Sequence, residues 1–504
     1  MIQSSLGKPL SESIEQVADF YLKNYKPQKV NNNKIICDAS TGFVQLYPHE
    51  VNILDSPIVQ RLRHIFQASL AIFTYPSAGH SRLEHSIGCL FLADRFLKSL
   101  QNPSLSKTDV FTVRLAALLH DIGHGPFSHA SEYFYGKFKD FNDSKLAERA
   151  FQLTDPAAHE ILGFYLIKTK AFNKLWQEIL SIYKKDNRSY YEEIKEIDLN
   201  EISGYLVCAS SKEKRYLAQI INGPFDVDKI DYLHRDGYFS GIHTAIDTDR
   251  LLSTLHVSND SETDCKTLMT DFRGITPLEQ MVMNKMVIFS SLHYHHKVRS
   301  ALSQLINLFE IIYNSKGAIS IKGLKLDNPI DFLFIDDYDV LNTDHSSKDI
   351  NEYIKKVKER NLYKRALVLS PLSLEKPKDD NFARLQTDYE LQFKIRESIS
   401  KEAGIELGNV FIDLPPATTY RGGTLKSKIW VDDKKSISFE NIYPSSGWVT
   451  GYAEYRYKGY IFAHTDKNPI KEELKRIGKI SLGVLRKEGI AIKEEDALAM
   501  ANLN

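Results

Sequence analysis

A chain of 504 residues with 42% apolar and 26% charged side chains has the balance of an ordinary globular protein, and is long enough for more than one domain. Its 65 basic residues equal its 65 acidic ones, so no bulk field favours nucleic acid or membrane, and an anionic ligand must be caught by a local cation cluster or a metal. The four cysteines, Cys37, Cys89, Cys208 and Cys265, are scattered, which argues against a disulfide framework or a cysteine-based zinc site and suits a reducing compartment.

The first residues lack a basic start followed by an apolar stretch, and no apolar run approaches membrane-spanning length. A cytoplasmic protein with no membrane contact is expected. After an N-terminal segment, 1–34, helical patterns dominate. Residues 84–100 place apolar groups at spacings of three and four, as do 109–120, which Gly123, Gly125 and Pro126 bring to a stop. Residues 173–200 are polar and predict a solvated helical surface. The stretch 226–236 reads as a short amphipathic helix closed by Gly237. One long helix is predicted over 276–313, because LEQMVMNKMVIFSSLHYHHKVRSALSQLINLFEIIY contains neither Gly nor Pro. Beyond about 315 the pattern changes: IKGLKL, VFIDL, KIWVDD and GYAEYRYKGYIFAH cluster β-formers between Gly and Pro, with helices at 348–361 and 385–402. The expected fold is mainly α, a helical core over 35–314 with a smaller C-terminal α+β lobe over 315–504.

Chemistry gathers in four segments. His85 starts a helix, the pair His120-Asp121 ends one, His159 lies in DPAAHEILG, and Asp228 opens DVDKIDYLHRD. Two imidazoles and two carboxylates, His85, His120, Asp121 and Asp228, supply N and O ligands to a divalent ion and leave positions for water and a phosphate oxygen. Singly, each has an ordinary explanation: a packed histidine, a turn histidine (His124 or His129), a helix-capping aspartate at 228. Together they form a hydrolytic metal site. From Asp228, Tyr232 and Asp236 follow at four and eight residues on one helical face, with Lys229 beside them. A cation, a phenol and a second carboxylate on that stripe suit a phosphorylated ligand.

The blocks QRLRHIFQASLAIFTYPSAGHSRLEHSIG, LLHDIGHGPFSH and NGPFDVDKIDYLHRDGYFSGI resemble the HD-domain deoxynucleoside triphosphate triphosphohydrolases. The likeness is strong over about residues 35–245. It continues more faintly through LHYHHKVRSAL, DNPIDFLFIDDYDVL and ERNLYKRA.

This resemblance implies an HD phosphohydrolase core in which His85, His120, Asp121 and Asp228 hold Mn, Mg, Fe or Zn. It implies an active-site histidine at His124, a catalytic His159 partnered by Glu132, and phosphate contacts from Arg82 and Lys229 with Tyr232 near the α-phosphate. Gln67 and Asp236 would contact the 3′-hydroxyl, and Tyr294 would pack on the sugar. Met286 stands where some relatives use a basic residue on the terminal phosphates, with Lys297 nearby.

The implied activity is hydrolysis of a deoxynucleoside triphosphate to deoxynucleoside and inorganic triphosphate. The implied assembly is a homo-oligomer, tetramer or hexamer, switched by bound deoxynucleotides, with a part in dNTP supply or phage defence. Two other readings stand beside it. One is a nucleotide phosphodiesterase, suggested by Gly237-Tyr238-Phe239, where a Gly-Tyr-Pro signature marks cyclic-dinucleotide enzymes. The other is a nucleotide-sensing or nucleic-acid-binding protein with a weak HD site, although the neutral charge does not indicate nucleic acid.

Overall fold

The helix that carries His85 runs Arg82–Ser99 and begins at a reciprocal cap: Ser81 Oγ accepts the Glu84 N–H at 3.4 Å, and Glu84 Oε2 accepts the Ser81 N–H at 2.5 Å. The next helix, Lys107–Leu119, opens on the same device from Ser106 and Asp109, and His120 is its C-terminal cap residue. A third, Val227–Ser240, is capped by Asp226, whose side chain accepts the Lys229 N–H at 2.8 Å. It runs past Gly237, the predicted stop, and ends at Gly241, where φ of 73° favours glycine. The Arg82–Ser99 helix packs against the other two. These are the helices on which the metal-type residues sit.

The computed structural model describes residues 10–503 except 101–103, 136–137, 139–140, 144, 146–147, 149–150, 152–153, 316, 343–346, 377–378, 416–422, 433–434, 443–448, 450 and 453–455. The fold is mainly α, with nine short strands among the described residues. They are β1 (Lys34–Asp38), β2 (Gly42–Leu46), β3 (Leu255–Asp260), β4 (Cys265–Thr270), β5 (Lys364–Leu369), β6 (Val410–Asp413), β7 (Lys428–Asp432), β8 (Lys435–Ser438) and β9 (Gly459–Ala463).

The chain divides into two compact units interleaved in sequence. The first takes residues 1–285, 320–343 and 423–443; the second takes 286–319, 344–422 and 444–504. In the first, β1 and β2 form an antiparallel hairpin, and β7–β8 join β3–β4 in a sheet of order β3-β4-β7-β8. In the second, the sheet order is β5-β9-β6, all antiparallel, with the helices His296–Asn314, Tyr389–Ala403 and Ile470–Lys487 packed against it. The second unit has its own buried polar core, where Arg396 donates to Glu310 Oε2 at 2.6 Å, Asn307 Oδ1 at 2.9 Å and the Val410 carbonyl at 3.2 Å.

Three predicted elements differ. The single helix over 276–313 is two, Ile275–Ile288 and His296–Asn314, separated by a π-helical turn at Phe289–His293. The Tyr294 N–H reaches back five residues to the Phe289 carbonyl, and His295 leaves helical geometry to cap the next helix; no Gly or Pro is needed. The helix at 385–402 is also two, Asp380–Thr387 and Tyr389–Ala403, because Asp388 caps the second by accepting the Leu391 N–H. IKGLKL forms only an isolated bridge, Ile321 to Leu324. Among the described residues no helix is long and apolar enough to cross a membrane.

The His85 helix is tied down at its far end by charge. Arg114, 2% exposed, donates to both oxygens of the fully buried Glu50 at 2.7 and 2.8 Å, to Asp94 at 2.7 Å and to the Gln45 carbonyl at 2.7 Å. Removing one member of a buried pair strands the other charge. Glu50→Ala is therefore expected to cost about 3–5 kcal/mol, read as a lowered denaturant midpoint, whereas an unchanged midpoint would contradict this account of the core.

Candidate active site

His120 Nδ1 lies 2.8 Å from the Ala117 carbonyl, which only accepts, so Nδ1 carries the proton and Nε2 a lone pair. His85 Nδ1 lies 2.7 Å from Asp231 Oδ2 and is set the same way. The two Nε2 lone pairs then face each other at 3.2 Å. Asp228 Oδ1 is 3.0 Å from His85 Nε2 and 3.9 Å from His120 Nε2. Asp121 Oδ2 is 3.7 Å from His85 Nε2, and its Oδ1 is 3.3 Å from His120 Nε2. Four potential ligand atoms converge. Ligand atoms about 2.1 Å from one ion stand about 3–3.5 Å apart, so these residues fit a divalent cation. A buried thiol borders the group: Cys89, one turn after His85, has Sγ 3.6 Å from His85 Nε2.

The donors are held from behind. Asp231 bonds Arg235 at 2.7 and 3.1 Å, and Arg235, fully buried, bonds Asp38 at the end of β1 at 2.8 and 3.0 Å. Burial opposes charge on Asp231, but Arg235 and His85 outweigh it and hold its pKa below the ordinary carboxylate range. The helices approach so closely here that a Cβ on Gly88 would stand 2.0 Å from Asp231 Oδ1. Arg82 Nη1 donates to Asp121 Oδ2 at 2.8 Å, and its Nε to Ser128 Oγ at 2.9 Å.

The turn after Asp121 is clamped at both ends. Arg61 donates to the carbonyls of Ile122 and His124 at 2.7 and 2.6 Å. Asp337, fully buried, accepts the Phe127 N–H at 2.5 Å and the Phe66 N–H at 2.7 Å. Phe127 and Ser128 have φ of 55° and 57°, an unfavourable conformation for side-chain-bearing residues that these bonds hold in place.

Beside the four donors stands an acid–base pair. His159 Nδ1 is 2.6 Å from Glu132 Oε1, which also accepts the His159 N–H at 3.0 Å, and His129 Nδ1 is 2.7 Å from Glu132 Oε2. Burial would lower His159, but the Glu132 carboxylate outweighs it and lifts the ring to about 9. His124 stacks on His159 at 3.8 Å and 16°. Burial, then Arg82 and His159, push His124 well below the ordinary imidazole range, so it is neutral. Its Nε2 is 3.3 Å from Asp121 Oδ1 but off hydrogen-bond geometry; neither ring nitrogen has a hydrogen-bond partner among the described residues.

On the Asp228 helix, Lys229 Nζ donates to Asp226 Oδ2 at 2.5 Å and to the Gly223 carbonyl at 3.0 Å. Tyr232 is half-buried, and burial followed by Asp228 pushes its phenol well above the usual range. Asp236 is buried, with Oδ1 2.8 Å from His80 Nε2, and the Gln67 N–H donates to the His80 carbonyl at 3.0 Å. Lys285 adds a cation next to Met286: burial and the charge of Lys229 push it down to about 8, against the pull of Asp226 and Asp228.

The structure thus gathers His85, His120, Asp121, Asp228, His124, Glu132, His159, Arg82, Gln67, Lys229, Tyr232 and Asp236 within the first unit. Tyr294 and Lys297 belong to the second unit, where Lys297 lines a cavity of about 390 Å³ with His296, Lys364, Arg365 and Lys471. Sequence reasoning gave no site role to Asp231, Asp38, Arg61, Asp337, His80, Cys89 and Lys285. Asp231 and Cys89 carry a signal, being one helical turn from Asp228 and His85 respectively.

An HD-domain model matches residues 82–236, and an HD-associated-region model matches 246–441. The chain thus carries an HD domain followed by an HD-associated region. It is 28% identical over 411 residues to the deoxynucleoside triphosphate triphosphohydrolase SAMHD1 of Bos taurus, covering 76% of this chain and 66% of that protein. It is 27% identical over 394 residues to SAMHD1 of Homo sapiens, covering 72% and 60%. It is 28% identical over 384 residues to the uncharacterized protein MJ1154 of Methanocaldococcus jannaschii, covering 76% and 69%. The chain therefore spans about two thirds or less of the length of these SAMHD1 proteins.

Asp231 fixes the tautomer and orientation of His85, a role whose loss usually costs about 10–100-fold in metal affinity. Asp231→Asn is expected to weaken Mn²⁺ binding by that factor in a chelator competition; undiminished affinity would remove Asp231 from the centre.

Proposed function

We propose that the chain is a metal-dependent hydrolase that cleaves deoxynucleoside triphosphates to deoxynucleoside and inorganic triphosphate. One observation carries the proposal: four acceptor atoms from His85, His120, Asp121 and Asp228 converge beside the hydrogen-bonded pair Glu132–His159. The similarity to deoxynucleoside triphosphate triphosphohydrolases supports the substrate class. A divalent ion there would supply Lewis-acid stabilisation of phosphate charge.

The remaining work falls to side chains. His159 holds its proton up to about pH 9 and passes it to the departing 5′-oxygen, while Glu132 steadies the cationic ring. His124, neutral and with both nitrogens unpartnered among the described residues, offers a hydrogen bond to a phosphate oxygen. Arg82 and Lys229 offset the charge of the phosphoryl transition state, and Tyr232 stands near the α-phosphate. Lys285 takes the terminal-phosphate role that Met286 cannot fill. Gln67 and Asp236 receive the 3′-hydroxyl, and Lys297 belongs to a cationic cavity that supports regulation by an anionic nucleotide. The family resemblance extends this proposal to an oligomeric, nucleotide-switched enzyme.

The purified chain with Mn²⁺ or Mg²⁺, given each dNTP alone and in mixtures, is expected to release deoxynucleoside and triphosphate. Release of a monophosphate from a diester instead would favour the phosphodiesterase reading, and salt-sensitive nucleic-acid binding without hydrolysis the sensing one. Hydrolysis surviving in His120→Ala or Asp228→Ala would refute the metal centre.

The pH dependence follows from the acid role. The protonated form of His159 is the active one, so the rate persists below and falls as pH rises through about 9. Glu132→Gln removes the charge that lifts the imidazole, which moves this alkaline limb to lower pH and lowers kcat about 10²-fold or more. A kcat–pH profile with an unmoved limb would separate Glu132 from the proton donor.

A further inference from the structure

His80 has no role in the reading above, yet it touches both residues assigned to the sugar hydroxyl. Its Nε2 lies 2.8 Å from Asp236 Oδ1, and since a carboxylate oxygen only accepts, Nε2–H donates. Its carbonyl accepts the Gln67 N–H at 3.0 Å. The ring is fixed on its other side by Phe239, stacked at 4.8 Å and 17°, three residues after Asp236 on the same helix. His80 is 3% exposed and Asp236 2%, so this bond is not shared with bulk water. Two buried atoms of the group, His80 Nδ1 and Gln67 Oε1, have no hydrogen-bond partner among the described residues. Phe239 also accounts for the departure from Gly-Tyr-Pro: the third position supplies the aromatic face that covers His80.

We propose that His80 is the positioning residue of the sugar subsite, holding Asp236 and the backbone of Gln67 in the one arrangement that demands a 3′-hydroxyl on the substrate. The proposal rests on the deoxynucleotide reading of the site. An imidazole donor fixes the orientation of the carboxylate toward the hydroxyl, and a substrate lacking that hydroxyl forfeits the oriented bond. Discrimination, more than rate, is the property His80 sets.

The test compares the full chain, loaded with Mn²⁺, on a dNTP and on the matching 2′,3′-dideoxynucleoside triphosphate. His80→Phe keeps a ring against Phe239 and removes the donor; His80→Gln keeps a donor at similar reach. Wild type is expected to favour the deoxynucleotide in kcat/KM. His80→Phe should erode that preference about 10–100-fold, the loss falling mainly on the deoxynucleotide, and His80→Gln should restore most of it. In an Asp236→Ala background, His80→Phe should add no further loss of preference, because one residue acts through the other. Equal loss on both nucleotides, or an additive loss in that background, makes His80 merely structural and overturns the proposal. Should His80→Phe fail to fold or to retain metal, His80→Asn, whose shorter amide falls short of Asp236, takes its place against His80→Gln under the same criteria. A wild type that hydrolyses diesters but neither nucleotide would instead overturn the deoxynucleotide reading, and His80's role with it.

Discussion

The convergence of His85, His120, Asp121 and Asp228 is the constraint on which much of the first unit depends. The Nε2 atoms of His85 and His120 come together because each Nδ1 is already committed, one to Asp231 and one to the Ala117 carbonyl. Two carboxylates join them instead of donors. Such a cluster persists in a fold only if its members are held by bonds made elsewhere. Hence Arg82 sits on Asp121, and Arg235 is spent wholly on Asp231 and Asp38. The β1–β2 hairpin, far from the metal donors in sequence, is thereby wired to His85 through two carboxylates and a guanidinium, all buried. A buried charge stranded by loss of its partner is costly, so the chain of pairs acts as a unit.

The histidine stack next to the centre shows how neighbours divide one chemistry into two roles. His124 and His159 lie face to face at 3.8 Å, yet their proton affinities are driven apart. Both are opposed by burial. His159 has Glu132 against its Nδ1 and stays charged; His124 faces Arg82 and the charge on His159 and stays neutral. Two identical rings in the same environment would repel if both were protonated. The Glu132 carboxylate, itself held low by His159 and His129, settles which ring keeps the proton.

That His85, His120, Asp121 and Asp228 belong together was legible in sequence because their signals are local: a histidine opening a helix, His-Asp closing one before a glycine-rich turn, an aspartate inside a capped helix. Long-range partners were not. Asp337 clamps Phe66 and Phe127 across more than 200 residues, and no pattern within a segment announces that. Asp226, not Asp228, caps its helix, which leaves Asp228 for the centre; the sequence offers both aspartates to either task. The π turn at Phe289–His293 was hidden because its residues are good helix formers and the break is made by a five-residue backbone bond. For the same reason the helical residues 286–314 read as part of the core, although they pack on the sheet of the second unit. A change in β-content at 315 was visible; that β7 and β8 complete the sheet of β3 and β4 was not.

The overall charge balance conceals two different ways of meeting an anion. In the first unit, Arg82 is paired with Asp121, and Lys229 with Asp226. Both cations are thus already neutralised by a carboxylate within the fold. The second unit is built otherwise. Lys297 and Arg365 are pushed down by burial, and Lys297 is pushed further by Lys364, Arg360 and Arg365; all but Arg360 line the same cavity. Cations crowded so closely repel, and an anion that enters relieves the repulsion as well as adding its own attraction. The first unit pairs its cations and the second crowds them, within a chain of no net charge.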